Sequence, residues 1–213
     1  MFIDREKELK ELTKLVELRK KNIEKFAILV IGIRRIGKTA LVKKFAESNR
    51  VIYIDCEKIT IPSQLFDEFC QKIALLEHPN DENFVITMNG NDILRQYFPS
   101  YIFSREINFW NILEFMWHVA EDLKVDALIL DEFLDLFEVI GRTKQYRKFE
   151  KVLAHIRSLI QEYTVPTILL SSSGEYILSV MSAPDSPFFS ATQIYKAWSF
   201  ERRGHIKINT SNR

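Results

Sequence analysis

Apolar positions in this chain follow two rhythms that take turns. Leu9, Leu12 and Val16 recur at helical spacing, with Leu15 and Leu18 beside them, and predict an opening helix that starts after Asp4, a good N-cap type. The stretch Arg19–Lys25 reads as a connection. Short apolar runs of strand length then appear at Phe26–Ile31, Val51–Asp55, Ala127–Leu130, Thr167–Leu170 and Ile194–Phe200. Helical spacing returns between them. Ala40–Ala46 follows the first run. A helix beginning near Pro62 carries Phe66, Phe69, Ile73 and Leu76 on one face. Another, from about Arg105 to Leu123, carries Trp110, Leu113, Met116, Trp117 and Ala120. A last one, Thr143 to Tyr163, lines up Phe149, Val152, Leu153, Ile156, Leu159, Ile160 and Tyr163.

Strands alternating with helices predict an α/β fold whose mostly parallel sheet is covered on both faces. Residues 77–104 fit the pattern least. Pro79, Asn80, Asp81, Asn89-Gly90-Asn91 and Pro99 supply turn chemistry, with a short strand expected at Phe84–Met88 and a short helix at Ile93–Phe98. This is the best place for a specificity insertion. With no repeat and no low-complexity linker, residues 1–213 read as a single domain.

The chemistry is concentrated after the first strand. Gly32-Ile33-Arg34-Arg35-Ile36-Gly37-Lys38-Thr39 has the form G-x-x-x-x-G-K-[ST], lying between a strand and a helix as a phosphate-binding loop requires. Gly32 and Gly37 permit a turn that a Cβ would obstruct, and successive N–H groups then form an anion nest at a helix N-terminus. The candidate nucleotide-binding residues are Gly32, Ile33, Arg34, Arg35, Ile36, Gly37, Lys38, Thr39 and Ala40. Lys38 can reach the β- and γ-phosphates, and the Thr39 hydroxyl can ligate Mg²⁺.

In parallel α/β sheets ligands sit at the carboxyl ends of the strands. That places Asp131-Glu132 and Ser171-Ser172 at the same edge as the loop. Asp131 is a candidate metal residue beside Thr39. Glu132 is positioned to polarise a water against the γ-phosphate, and with Lys38 forms the candidate catalytic pair. A solvated pair of acids at a strand end is the plainer alternative. Ser171 or Ser172 can bond the γ-phosphate or the water, or can simply serve the local turn.

Composition narrows the choices. The chain has 213 residues, 46% hydrophobic and 28% charged, as in an ordinary globular protein. A net charge of +1 gives no global argument for nucleic acid or membrane. No run approaches the length of a membrane span and no signal peptide is evident, so a cytoplasmic location is expected. Cys56 and Cys70 match no metal or redox motif, and His78, His118, His155 and His205 show no ligand spacing. The aromatic stripe of Trp110 and Trp117 reads as core rather than as a base-stacking platform. Lys144, Arg147, Lys148, Lys151 and Arg157 give the last helix a basic face, which reads as solvated, with nucleic-acid contact as the alternative.

Three segments together resemble the archaeal-type ATPase family, P-loop ATPases related to AAA+ proteins and to signal-transduction ATPases with numerous domains. They are Phe2-Ile3-Asp4-Arg5-Glu6-Lys7-Glu8-Leu9, the Gly32–Thr39 loop with Arg34-Arg35, and Leu128-Ile129-Leu130-Asp131-Glu132-Phe133. The resemblance covers most of residues 1–200. It implies a three-layer α/β/α P-loop NTPase fold with a five-stranded parallel sheet in the order 5-1-4-3-2. It also implies ATP and Mg²⁺ as ligands, Phe2 and Ile3 near the adenine, and Ser171-Ser172 at the sensor position. After Pro187-Phe188-Phe189 the chain reads Ser190-Ala191 where the family usually has Gly-Arg, so an arginine is missing there, and nothing marks Arg202 or Arg203 as its substitute. The chain ends at Arg213 near where the family's lid and winged-helix region begins, and is expected to be a minimal or truncated member. The activity implied is Mg²⁺-dependent ATP hydrolysis as a switch or motor-like domain. The alternatives are a nucleotide-binding module without turnover, acting through a protein partner or a second copy, and a nucleic-acid-associated ATPase.

Overall fold

The computed structural model describes residues 5–21, 25–79, 108–143, 149–173, 176, 179 and 192–196; for residue 149 and residues 192–196 it describes the backbone alone. The expected short elements at 84–88 and 93–98, Phe2 and Ile3 with their expected place near the adenine, the basic residues Lys144, Arg147 and Lys148, the 187–191 segment and Arg202 and Arg203 lie outside these residues.

Among the described residues five strands form one parallel sheet: β1 (Ala27–Ile31), β2 (Val51–Asp55), β3 (Ala127–Asp131), β4 (Thr167–Ser171) and β5 (Thr192–Lys196). Their order across the sheet is β2-β3-β4-β1-β5. The four strands described with their side chains therefore run 1-4-3-2, and the β5 backbone pairs along the free side of β1. β5 begins two residues before the expected apolar run 194–200, of which residues 197–200 lie outside the described residues. Strands β1, β3 and β4 are buried along their whole length, as a strand packed on both faces must be. At the edge, β2 alternates, with Ile52 and Ile54 buried and Val51 and Tyr53 half-buried on the other face.

The helices divide between the two faces. Helices α1 (Glu6–Lys20) and α2 (Lys38–Ala46) cover one, where Leu12, Val16, Leu41, Val42 and Phe45 meet Ile28, Val30, Ile129 and Leu170. On the other face lie α3 (Pro62–Glu77), α4 (Phe109–Asp122), α5 (Phe133–Gly141) and α6 (Phe149–Glu162), packed on Leu29, Ile54, Leu128, Leu130 and Leu169. Helix starts have local causes. Pro62 occupies the first turn of α3, and the Gln64 side chain reaches back to accept from the Ile61 N–H at 3.3 Å. The Asn108 side chain caps α4 by accepting from the Asn111 N–H at 3.1 Å.

The aromatic stripe is core. Trp117 is fully buried and donates its indole N–H to the Thr167 hydroxyl at 3.1 Å, tying α4 to the first residue of β4. Cys56 and Cys70 are buried free thiols whose burial pushes both pKa values up, which suits packing rather than reactivity.

The expected connection at 19–25 is wrong at its first two residues. Arg19 and Lys20 complete the last turn of α1, and Arg19 is fully buried. Its guanidinium donates to the carbonyls of Ile160 at 2.8 Å, Tyr163 at 2.7 Å and Thr164 at 3.2 Å, satisfying acceptors at and just beyond the C-terminus of α6.

His155 on α6 is buried against Trp110, with ring centroids 3.6 Å apart, and burial pushes its pKa down to about 4. Below pH 6.5 the unfolded chain takes up a proton that the folded chain refuses until about pH 4. Stability from this residue is therefore lost as pH falls through that window, by on the order of 3 kcal/mol. In urea unfolding at pH 7 and pH 4.5, His155→Phe should remove this part of the decline, so that the variant gains on the wild type as pH falls.

Candidate functional site

The parallel register puts the chemistry in one place. Ile31, the last residue of β1, stands beside Ser171 of β4, while Asp131 ends β3 beside Asp55 of β2. The loop 32–37, the acidic pair and the serines therefore leave the sheet at the same edge.

The loop bends twice through the left-handed region. Gly37 has φ 92 and Arg35 has φ 65, while Gly32 has no positive φ, so the expected need for glycine freedom at both ends of the motif holds only at Gly37. Ile33, Arg34, Arg35 and Ala40 are exposed, and Ile36 packs partly against the core under α2. Arg34 forms an exposed ion pair with Glu57 at 3.6 Å.

Arg5, immediately before α1, donates to the carbonyls of Ile36 and Gly37. The guanidinium thus satisfies acceptors on the back of the turn. An ideal Cβ at Gly37 would lie 3.3 Å from the Arg5 Cζ and Nη1.

Lys38 begins α2 and is buried. Its ammonium crosses the loop to donate to Gly32 O at 2.8 Å and Ile33 O at 3.3 Å. Burial, with a smaller push from Arg34, lowers its pKa against the opposing pull of Glu132 and Asp131.

The Thr39 hydroxyl donates to Asp131 Oδ2 at 2.8 Å, joining the loop helix to β3. Asp131 accepts two further bonds: from the Tyr53 hydroxyl to Oδ2 at 2.6 Å, and from the Glu132 N–H to Oδ1 at 3.0 Å. Burial first, and Asp131 second, push the Tyr53 phenol up, so it stays a donor. Glu132 is left-handed, with φ 50 and ψ 45, at the cap position of α5. This turn swings its carboxylate toward β4, where Oε2 accepts from the Ser172 N–H at 2.9 Å and hydroxyl at 3.0 Å. The two serines thus separate: Ser172 meets the acid, whereas buried Ser171 accepts from the Ser173 N–H at 3.1 Å in a local turn.

A family model for an ATPase domain predominantly from Archaea matches residues 2–201. The chain belongs to that family. Among solved structures it is similar to the Walker-type ATPase of Pyrococcus abyssi, at 20% identity and a TM-score of 0.56, covering 92% of this chain and 54% of that one. At that identity the likeness shows the fold, and this chain spans about half the length of that protein. No protein of curated function matches the sequence.

Two residues of this archaeal-type ATPase domain were not singled out by sequence reasoning. Arg5 lies within the N-terminal segment that carries the resemblance, but nothing in its spacing shows contact with the loop. Tyr53 was readable only as one member of a β-rich run. Its alternation with buried Ile52 and Ile54 is the signal that turns it toward α2. No site hydrogen bond described above involves the thiols, His78, His118 or His155, His205 lies outside the described residues, and no group of three or more acidic, histidine or cysteine side chains that could hold a metal occurs among the described residues.

Gly37→Ala should cost about 1–2 kcal/mol, from the positive φ and from the Arg5 contact together. Denaturant unfolding checks it. In a chain already carrying Arg5→Ala, the added loss should shrink to the backbone part, about 1 kcal/mol.

Proposed function

We propose that this ATPase domain binds ATP on the Gly32–Thr39 loop and hydrolyses it in the presence of Mg²⁺. The observation that carries the reading is the bonded chain from Thr39 through Asp131 to Glu132 and Ser172, which joins the loop helix to two strand ends. A coincidental glycine turn has no reason to make those bonds.

The donor set fits a small hard cation. A neutral hydroxyl and a carboxylate lie side by side, an oxygen pair that suits Mg²⁺, which keeps waters and takes phosphate oxygens. Thr39 and Asp131 would hold it. When bound, the ion supplies charge neutralisation on the phosphates.

The remaining roles fall to the chain itself. Loop N–H groups and the start of α2 attract the phosphates. The Lys38 ammonium exchanges its two loop carbonyls for phosphate oxygens, which compete well because they are charged. Glu132 orients the attacking water and accepts its proton as the water oxygen bonds to the γ-phosphorus and the β–γ bridging oxygen departs with ADP. Ser172 holds Glu132 from the β4 side, and that contact favours it over Ser171 as the residue that would sense the γ-phosphate.

A second reading, nucleotide binding with little turnover, is favoured by one observation. The same Ser172 gives two donors to Glu132 Oε2, so the acceptor positions of that oxygen are taken by β4 rather than left to hold a water.

Phosphate release and nucleotide-dependent melting separate the two. For an ATPase, wild type releases phosphate only with Mg²⁺, Lys38→Ala loses both binding and release, and Glu132→Gln still binds while release falls by about 100-fold or more. For a binding module, Mg-ATP raises the melting temperature without phosphate release. Equal release by wild type and both variants would rule out the enzyme.

A further inference from the structure

We infer that Tyr53 is a positioning residue of this site, its hydroxyl holding the Asp131 carboxylate in the orientation that presents it to a metal beside Thr39. The inference rests on the reading of the loop as an Mg²⁺–nucleotide site and assigns a residue to which that reading gives no part.

The argument begins with the strand register. Tyr53 of edge strand β2 stands beside Ile129 of β3, two positions before Asp131. Its side chain lies on the α2 face, because Ile52 and Ile54 are the buried positions of the opposite face. From there the phenol is long enough to run diagonally along the sheet to the next residue on that face of β3. Its oxygen reaches Asp131 Oδ2 at 2.6 Å. Phenylalanine would fill the same space without reaching across.

An aspartate at a strand end has a carboxylate that turns readily about its last torsion. One bond from Thr39 would leave that rotation open. Here Oδ2 takes two hydroxyls, Thr39 at 2.8 Å and Tyr53 at 2.6 Å, while Oδ1 takes the Glu132 N–H at 3.0 Å. Three donors from α2, β2 and the start of α5 fix both the position and the plane of the group. The tyrosine ring is itself held, for the Lys43 ammonium lies 5.7 Å from its centroid. Lys43 is one turn beyond Thr39 on α2, so one helix face grips the ring and its hydroxyl partner's other donor together.

Partners that orient a ligand side chain typically govern metal affinity by about 10–100-fold when removed. The role is therefore read in metal dependence. A fluorescent ATP analogue is bound to wild type and to Tyr53→Phe across a Mg²⁺ titration, and again with chelator. Tyr53→Phe should need about tenfold more Mg²⁺ for half-maximal tight binding. Its metal-free affinity should stay within about twofold of wild type, because the hydroxyl makes no loop contact. Both proteins should melt cooperatively within about 5 °C of each other. An unchanged Mg²⁺ midpoint overturns the assignment, as does an equal loss of affinity with and without metal. A variant without a cooperative melt overturns it in favour of a purely structural tyrosine. A wild type that binds the analogue without Mg²⁺ dependence overturns the functional reading itself, and this assignment with it.

Discussion

Burial on both faces of the sheet is the constraint from which the rest follows. Strands β1, β3 and β4 have no exposed side, so their interiors hold only aliphatic residues: Ile-Leu-Val in β1, Leu-Ile-Leu in β3 and Ile-Leu-Leu in β4. A polar side chain there would be stripped of water without a partner. Polar groups are therefore confined to strand ends. Thr167 opens β4 and is satisfied by Trp117, whereas Asp131 and Ser171 close β3 and β4 at the loop edge. Parallel pairing puts those closing residues on the same side. The interiors of these three strands exclude reactive groups, and Asp131 and Ser171 gather at the loop edge as a result.

At that edge each polar group leans on a neighbouring element. Arg5 braces the outside of the loop, Lys38 crosses its mouth, and Thr39 and Tyr53 meet on one oxygen of Asp131. Glu132 is directed away from β3 by a left-handed backbone turn and secured at β4 by Ser172. Adjacent in sequence, the two acids thus serve different neighbours: Asp131 faces the loop helix and Glu132 faces the next strand.

How far the sequence could be read depended on how local each cause was. The loop motif, the acids after an apolar strand and the helical stripes of α3, α4 and α6 are short-range patterns, and they mark the start of α3 and the ends of α4 and α6 to within a residue, whereas Thr143, the expected start of the last helix, is not helical. Helix α5 was missed because Phe133, Leu134, Leu136, Phe137 and Ile140 are all buried, which leaves little polar face to show a helical period. Arg19 was taken for part of a connection because a buried arginine is rare, and its three carbonyl partners lie about 140 residues away in the chain. Tyr53 and Arg5 escaped for the same reason: a bond across the fold leaves no spacing in the sequence. Ser171 and Ser172 could not be told apart until the turn after β4 fixed which hydroxyl faces Glu132.

The two arginines that bracket α1 have a mechanical consequence. Arg5, at its start, is bonded to the loop, and Arg19, in its last turn, is bonded at and just beyond the end of α6. The fifteen residues of α1 span about 22 Å. The helix is thus a strut pinned at both ends, running from the loop to the opposite rim of the sheet. It cannot slide along its axis without breaking one set of guanidinium bonds. A shift of the Ile36 and Gly37 carbonyls at one rim is resisted at the other, by the entry to β4.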